Sequence, residues 1–172
     1  EQDGRIKIVL RPKNEHISAA SNSALELANG EFVCFLDHDD QLTEDALFWM
    51  VNTINQDSHA HLIFSDEDKI TAQGALIDPH FKCDWNQALF LSHNYLCHLT
   101  LIKRTLVNRV KGFQPGMEGA QDYDLFLKCT EQLQEHQITH IPRILYHWRS
   151  HAGSTAFSSH TKPYAGDAGK RA

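Results

Sequence analysis

The sequence has a shortage of basic residues and no long hydrophobic run, and each absence excludes a class of protein. Its 16 lysine and arginine residues are outnumbered by 22 aspartate and glutamate residues, which gives a formal net charge of -6. Proteins that bind a nucleic-acid backbone present clustered Lys and Arg, so we expect no nucleic-acid partner. No apolar run approaches the roughly 18 residues that cross a bilayer. The composition, 41% hydrophobic and 22% charged, predicts one soluble domain with its own core.

Cysteine is also sparse, and the four cysteines form no C-x-x-C pair. Two of them lie in apolar patterns typical of a core, so we expect reduced thiols and a cytoplasmic setting. Histidine is more frequent, with 12 residues, and one interpretation is a zinc site built from Cys83, His93, Cys97 and His98. That spacing matches no structural zinc pattern, so histidines scattered over core and loops are the preferred interpretation.

The most informative stretch is FVCFLDHDDQL, residues 32–42. Its five leading apolar residues predict a strand covered on both faces. Side chains alternate along an extended segment, so Asp37 and Asp39 are expected to point the same way and to hold a hard cation. The alternative is a strand-to-helix loop, in which acidic residues before Thr43 favour a helix N-terminus. This stretch alone leaves both interpretations open.

Strands and helices alternate along the chain, which predicts an α/β sheet flanked by helices. A strand over residues 5–10 and a helix that ends at Gly30 precede the apolar run. Together the three elements predict a βαβ unit, whose crossover is normally parallel and right-handed. The same patterns predict a helix after Thr43, a helix over 104–110, and strands over 61–64, 99–102, 138–141 and 144–148.

The strand at 61–64 also runs into acidic residues, in the segment SDEDK. Ligands of open α/β sheets lie beyond the carboxyl ends of the strands. Asp66 and Asp68 are therefore expected on the same rim of the sheet as Asp37 and Asp39. A solvated turn is the alternative for this acidic segment.

Aromatic residues lie among polar ones between residues 78 and 95, where Trp85, Phe90 and Tyr95 occur. Aromatic rings beside hydrogen-bonding groups suit the apolar face and the hydroxyls of a sugar. Aromatic residues more often pack in the core, which is the preferred interpretation for each of the three taken singly.

Two further candidates lie near the end of the chain. Asp122 falls in the first turn of a helix predicted from GAQDYDLFLKC, where the helix dipole favours the ionised carboxylate and so a proton acceptor. Ordinary capping is the preferred alternative. His147 alternates with Tyr146 and Trp148 in a strand and should face opposite them. A core or surface role is preferred for it over a ligand role.

Five segments in order, FLDHDDQL, SDEDK, FKCDW, GAQDYDL and YHWRSHAGSTA, resemble the inverting, nucleotide-sugar-dependent glycosyltransferases of the GT-A fold, of the family 2 type. The pattern is close to that of bacterial enzymes that build surface polysaccharides, such as rhamnosyltransferases. The resemblance covers nearly the whole chain. It implies one partial GT-A domain over 1–172, the C-terminal two-thirds of the fold, with a mixed, mostly parallel sheet flanked by helices and the first strands missing.

The resemblance also implies a reaction and its partners. A sugar would pass, with inversion, from a UDP- or dTDP-sugar to a glycan or lipid-linked acceptor, in the synthesis of a surface polysaccharide such as O-antigen. The reaction would depend on Mn²⁺ or Mg²⁺. The protein would lie in the cytoplasm, in peripheral contact with the inner face of the membrane.

Individual residues take roles from the same resemblance. Asp37 and Asp39 match the D-x-D motif, whose first aspartate lies near the ribose or metal and whose last coordinates the cation that bridges the donor diphosphate. Asp40 would then have an orienting or capping role. Asp122 matches the general base that takes the proton of the acceptor hydroxyl. His147 matches a position that approaches the metal, so the implied metal ligands are Asp39 and His147.

Substrate-binding residues complete the expected site. Arg149, Ser154 and Thr155 match a loop that closes over the donor. The implied donor-binding residues are Asp37, Asp39, Arg149, Ser154 and Thr155. The implied acceptor-binding residues are Asp66, Asp68, Trp85, Asn94 and Tyr95.

The sequence departs from the family pattern in several places. The first strands of the family, which hold the base and ribose of the donor, are expected to be missing, because Glu1 falls near the start of the third. His16 stands where relatives often carry glycine, and Cys83 and Gln87 where they often carry proline. We therefore expect the isolated chain to bind donor poorly and to turn over little.

Two alternatives to a transferase remain at this point. A phosphohydrolase of the haloacid dehalogenase type also carries D-x-D at a strand tip, but Gln41 stands where it needs Thr or Val, and a βα unit precedes the motif. A non-catalytic GT-A domain that binds sugars or partner proteins is the other alternative. The presence of both Asp39 and Asp122 argues against simple degeneracy.

Overall fold

The structure is a computed structural model, which describes residues 3–150 and 163–172. Its elements, in chain order, are helix α1 (His16–Leu27), strand β1 (Phe32–Cys34), β2 (Gln41–Leu42), α2 (Ala46–Gln56), β3 (Leu62–Thr71), β4 (Leu76–His80), α3 (Gln87–Ser92), β5 (Thr100–Lys103), α4 (Arg104–Arg109), α5 (Gln121–Thr130), a 3-10 turn (Glu135–Gln137), β6 (Ile138–Ser150) and α6 (Pro163–Arg171). No helix in the described ranges is long and apolar enough to span a bilayer.

The strands form a mixed sheet in the order β1-β5-β3-β6-β2, with β4 paired to β3 outside that path. The mixed sheet with flanking helices confirms the predicted architecture, but the expected predominance of parallel pairs is wrong. In the described residues β3 and β6 pair in parallel, whereas the other four pairings are antiparallel.

The N-terminal segment explains this difference. Residues 5–10, predicted as a strand, have no strand structure, and Ile6 and Leu10 are 68% and 89% exposed. The predicted parallel βαβ crossover is therefore wrong for the described chain. Within the described sheet, β1 pairs with β5, so Val33 lies opposite Ile102 in an antiparallel register.

Hydrophobic side chains pack on both faces of the sheet, because successive residues of a strand point to opposite sides. On β3, Leu62 and Phe64 belong to one cluster, with Leu125 of α5. Ile63 belongs to the other, with Met50 of α2. All three β3 residues are fully buried, and burial of each contributes about 1.5–3 kcal/mol. The helices thus fix β3 as the central strand of the described fold.

The acidic residues of SDEDK lie inside β3 and not beyond its end. The strand continues to Thr71, and Asp66, Glu67 and Asp68 are only 3%, 6% and 5% exposed. Both expectations for this segment, a solvated turn and a place on the rim of the sheet, are therefore wrong. The reason is that the parallel partner strand β6 runs alongside for the whole length.

Strand β6 also differs from the prediction of two short strands. It is one strand of 13 residues. The register with β3 shifts where Ser65 pairs with Ile141 and Asp66 with Ile144, so residues 142–143 bulge. Pro142 lacks the N–H needed for a regular ladder. A bulge at this point accommodates the proline without ending the strand.

Candidate active site

Three potential metal ligands come together where β1 ends. Asp37, Asp40 and His98 each offer a ligand atom, and these atoms lie within 4.8 Å of one another. Asp37 follows β1 and His98 precedes β5. Because β1 and β5 are antiparallel neighbours, the end of the first lies beside the start of the second. We call Asp37, Asp40 and His98 the acidic cluster.

A turn brings the two carboxylates of the cluster together. Residues 38–39 form a turn, in which the amide of Asp40 donates to the carbonyl of Asp37 at 3.2 Å. The extended geometry expected for this segment is therefore wrong. In a turn the first and fourth residues approach each other, so Asp37 meets Asp40. Leu36 is 50% exposed, which also contradicts a strand covered on both faces up to that point.

Asp39 lies beside the cluster and outside it. Its backbone carbonyl accepts a hydrogen bond from Nε of Arg149, and its carboxylate lies 3.7 Å from Nδ1 of His38. The backbone amide of Arg149 donates to Oδ1 of Asp40 at 2.7 Å. Arg149, predicted to bind the donor, therefore lies directly against the D-x-D turn.

Tyr146 contacts two members of the acidic cluster. Its ring is stacked on the imidazole of His98, with 4.4 Å between centroids, and its hydroxyl donates to Asp40. Burial raises the pKa of Tyr146, as does the hydrogen bond with Asp40, so the phenol remains a donor. Burial likewise raises the pKa of Asp40, with a further increase from the Asp37 carboxylate, against hydrogen bonds from Arg149 and Tyr146 that lower it.

Asp122 lies in the first turn of α5, as predicted. Its Oδ2 accepts a hydrogen bond from Nδ2 of Asn94 at 3.1 Å. Burial raises its pKa, and Asp37 raises it further, whereas His98 and the first-turn amides lower it. The helix terminus is therefore not the dominant influence that we expected. A carboxylate with a raised pKa is a better proton acceptor at neutral pH than an ordinary aspartate.

The remaining acidic residues predicted for the site are engaged inside the sheet. His140 Nε2 lies 2.9 Å from Oδ1 of Asp66, and His147 Nδ1 contacts Oδ1 of Asp68. Both carboxylates are buried, so a role in binding the acceptor does not fit this arrangement. A histidine whose Nδ1 is held by a carboxylate presents Nε2 to a ligand, and a metal-binding role for His147 stays a prediction.

The aromatic candidates divide between core and surface. Tyr95 is 2% exposed and packs against Phe64 and Phe90, so it is a core residue and has no surface for an acceptor. Trp85 packs against Phe90 while remaining partly exposed. Asn94, through its bond to Asp122, is the predicted acceptor-binding residue that the structure does place at the site.

Sequence reasoning missed His98 and Tyr146 as site residues. Neither lies in a motif with characteristic spacing, and His98 entered only through the zinc interpretation. In the described part of the chain, the group of three potential ligands contains His98 with two aspartates and no cysteine, so the zinc set is not assembled. Ser154 and Thr155 lie outside the described residues.

Comparisons with known proteins agree on one family. A sequence model described as glycosyl transferase family 2 matches residues 1–109. An uncharacterized protein of Sinorhizobium fredii is 48% identical over 171 residues, which are 99% of this chain and 19% of that protein. The O-antigen biosynthesis protein RfbC of Myxococcus xanthus is 31% identical over 100% of this chain and 13% of its own length. The chain thus spans less than a fifth of the length of these two relatives.

A solved structure supports the fold. S. aureus TarS 1-349, in complex with UDP-GlcNAc, has a TM-score of 0.64 at 18% identity, over 87% of this chain and 43% of that chain. This likeness confirms the GT-A fold predicted from the sequence. The match to the family model excludes the haloacid dehalogenase alternative. From the family model and its agreement with the fold it follows that this chain belongs to glycosyl transferase family 2.

Proposed function

We propose that the chain carries the active site of a metal-dependent glycosyltransferase that moves a sugar, with inversion, from a nucleotide diphosphate sugar to an acceptor hydroxyl. The observation that carries this proposal is the position of Asp122, which accepts a hydrogen bond from Asn94, at the start of the short segment that ends at His98 of the acidic cluster. A candidate base therefore lies beside a candidate cation-binding group.

The proposed chemistry is a single displacement. The acceptor oxygen forms a bond to the anomeric carbon while the bond from that carbon to the diphosphate breaks. Asp122 takes the proton of the attacking hydroxyl, and its raised pKa suits that task. Asn94 holds Oδ2 of this carboxylate and so orients it. Attack on the face opposite the leaving group inverts the anomeric configuration.

The acidic cluster would hold the divalent cation. Its two carboxylates suit hard cations, and the imidazole nitrogen of His98 favours Mn²⁺ over Mg²⁺. When bound, the cation neutralises charge on the departing diphosphate. Asp39 and His147 form a second candidate ligand set, supported by the family resemblance. Arg149 is proposed to bind the donor, supported by its contacts with the D-x-D turn, with Ser154 and Thr155 proposed to assist it.

The substrates and setting are inferred from relatives. The S. aureus TarS structure holds UDP-GlcNAc, which supports a uridine or deoxythymidine diphosphate sugar as donor. The name of RfbC supports the synthesis of a cell-surface polysaccharide. A glycan or lipid-linked acceptor and a location at the cytoplasmic face of the membrane are proposed from the family resemblance alone. Trp85, partly exposed near the Asn94 segment, is the aromatic residue proposed to contact the acceptor sugar.

The test is turnover of nucleotide sugars by the full-length protein with Mn²⁺, followed as release of nucleoside diphosphate. Asp122→Asn is expected to lower kcat about 10³-fold, within the range for loss of a general base. Asp124→Asn is the matched control, because Asp124 lies in the same turn but pairs with Lys128 at 2.8 Å, and it should retain activity.

Two outcomes would count against the proposal. Equal kcat values for wild type and Asp122→Asn would remove Asp122 as the base. Donor binding by the wild type without turnover of any UDP- or dTDP-sugar would favour the non-catalytic alternative, a domain that binds sugars or partner proteins.

A further inference from the structure

The base and the acidic cluster are connected by one short loop. Asn94, at the start of the loop, donates to Asp122 at 3.1 Å. His98, at its end, supplies the imidazole of the cluster. The loop is closed on itself by the amide of Cys97, which donates to Oδ1 of Asn94 at 3.4 Å. The conformation of residues 94–98 therefore fixes how far the base lies from the cluster.

The side chain of the buried Lys82 donates hydrogen bonds to carbonyl groups of this loop. The Lys82 side chain is 0% exposed. Its ammonium group donates to the carbonyl of Leu96 at 2.7 Å and to that of His98 at 2.5 Å. It also lies 3.5 Å from Oε2 of Glu67. An ammonium has three N–H donors and no acceptor, so the loop and Glu67 satisfy all three.

Glu67 holds the same loop by an amide. Its Oε2 accepts a hydrogen bond from the backbone N–H of His98 at 2.9 Å, and its Oε1 lies 3.4 Å from Nδ1 of His80. The peptide groups on both sides of the His98 α-carbon are thus held, the N–H by Glu67 and the carbonyl by Lys82. The imidazole takes no part in these bonds and remains directed at the cluster.

Lys82 is also attached to the central strands of the sheet. The backbone amide of Lys82 donates to Oδ1 of Asp66 at 2.9 Å, and Asp66 also bonds His140 of β6. Lys82 is therefore attached to β3 and β6 by its main chain and to the loop by its side chain. The chain of contacts runs without a gap from the sheet to the cluster.

Stability alone does not account for a buried ion pair here. Removing two charges from water costs several kcal/mol per ion, and apolar residues of similar volume often serve stability as well or better. What the pair provides is a defined position for two carbonyls and one amide of a loop that lacks regular secondary structure. A catalytic group misplaced by about 1 Å can lose about 100-fold in rate.

We propose that the Glu67–Lys82 pair is a positioning device for catalysis: it fixes the loop at residues 94–98 and thereby holds Asp122 and the acidic cluster at their working separation. This inference rests on the proposed function of those two groups. Neither Glu67 nor Lys82 contacts the reactants, so both act through Asn94 and His98.

The test compares Lys82→Met and Glu67→Gln with Lys128→Met in the full-length protein. Lys128 is the control, because its ammonium also forms an ion pair with a carboxylate, that of Asp124, and donates to a backbone carbonyl, that of Gly112, away from the loop. We expect Lys82→Met to lower kcat by about 10–100-fold and Mn²⁺ affinity, titrated by electron paramagnetic resonance, by about tenfold, with donor KM changed less than about threefold. Lys128→Met should leave all three values near wild type.

A purely structural role would be revealed in two ways. Folded Lys82→Met with wild-type kcat and Mn²⁺ affinity would overturn the inference, and so would equal losses in Lys128→Met. If Lys82→Met does not fold, Lys82→Arg takes its place. It keeps the charge, but its planar fork does not reproduce the three directions of an ammonium, so the same loss of kcat is expected.

The inference and the proposed function can fail separately. Absence of turnover in the wild type would contradict the proposed function. The positioning role has a separate test, which is hydrogen exchange of the His98 amide. That amide should be protected in the wild type and in Lys128→Met, and should exchange at least about tenfold faster in Lys82→Met. Equal protection in all three proteins would overturn the positioning role.

Discussion

Two acidic segments of this chain look alike in sequence and differ in the fold. Residues 37–40 and 66–68 each follow an apolar run that predicts a strand. In the second segment every carboxylate is buried with a basic partner: Asp66 with His140, Glu67 with Lys82 and Asp68 with His147. In the first segment, two carboxylates and His98 converge on one point at the edge of the sheet. We call residues 66–68 the closed segment and residues 37–40 the open segment.

The difference shows that the local sequence pattern does not determine whether an acidic segment is buried with partners or gathered into a possible ligand site. The partners of the closed segment come from distant positions, 15 residues from Glu67 for the ammonium of Lys82 and 74 residues from Asp66 for His140. The open segment turns back on itself and gathers like charges, an arrangement that costs free energy unless a cation is bound. Closed carboxylates are therefore occupied by partners within the fold, whereas open ones are suited to a ligand.

The largest expected effect is on folding. Asp66→Ala should lower the free energy of unfolding by about 3–5 kcal/mol, because it leaves His140 and the amide of Lys82 buried without their acceptor. Asp37→Ala, in the open segment, should change it by less than about 0.5 kcal/mol. Chemical denaturation of both variants measures the difference, and equal losses would show that the division between segments is false.

The next effect is on metal binding. Asp40→Ala should weaken Mn²⁺ binding about 10–100-fold, since it removes one of the three ligands gathered in the open segment. Asp39→Ala should weaken it by less than about threefold if the cluster is the binding site. Isothermal titration of both variants decides between the two candidate ligand sets. A greater loss in Asp39→Ala would favour the set of Asp39 and His147.

The smallest expected effect is that of a substitution at Tyr146. Tyr146→Phe removes the hydroxyl that donates to Asp40 and keeps the ring stacked on His98. The hydroxyl also accepts a hydrogen bond from the amide of Asp37 at 3.4 Å. The loss of both bonds, chiefly the one to the charged Asp40, should cost about 1.5–3 kcal/mol shared between folding and metal affinity, with no more than about tenfold in the latter. Calorimetry with Mn²⁺ measures the change in affinity.

The sequence predicted the elements of the fold better than their pairing. The helices over residues 46–56 and 121–130 and the strand at 100–103 follow from apolar periodicity, which reports burial of one face. Periodicity carries no information on which strands are neighbours. The unpaired segment at 5–10 and the extension of β3 through its acids were therefore missed, because both depend on a partner strand.

The same limit applies to the site. Asp37 and Asp122 could be proposed from the sequence because each lies at a recognisable element, a strand end and a helix start. Asp40 replaced Asp39 in the cluster because the chain turns where extension was assumed. His98 and Lys82 could not be proposed from the sequence, since their contacts arise only in the folded loop.

Strand β6 contacts both acidic segments, so a change in its length would affect both of them at once. His140 and His147 bond closed carboxylates, whereas Tyr146 and Arg149 bond Asp40. Side chains along a strand alternate with a period of two, so the loss of one residue after the bulge would turn every later side chain to the opposite face. Substitutions in this strand change one contact at a time. A single deletion after the bulge would separate Asp68 from His147, and Asp40 from Tyr146 and Arg149, at the same time. This part of the strand can therefore vary in composition but not in length.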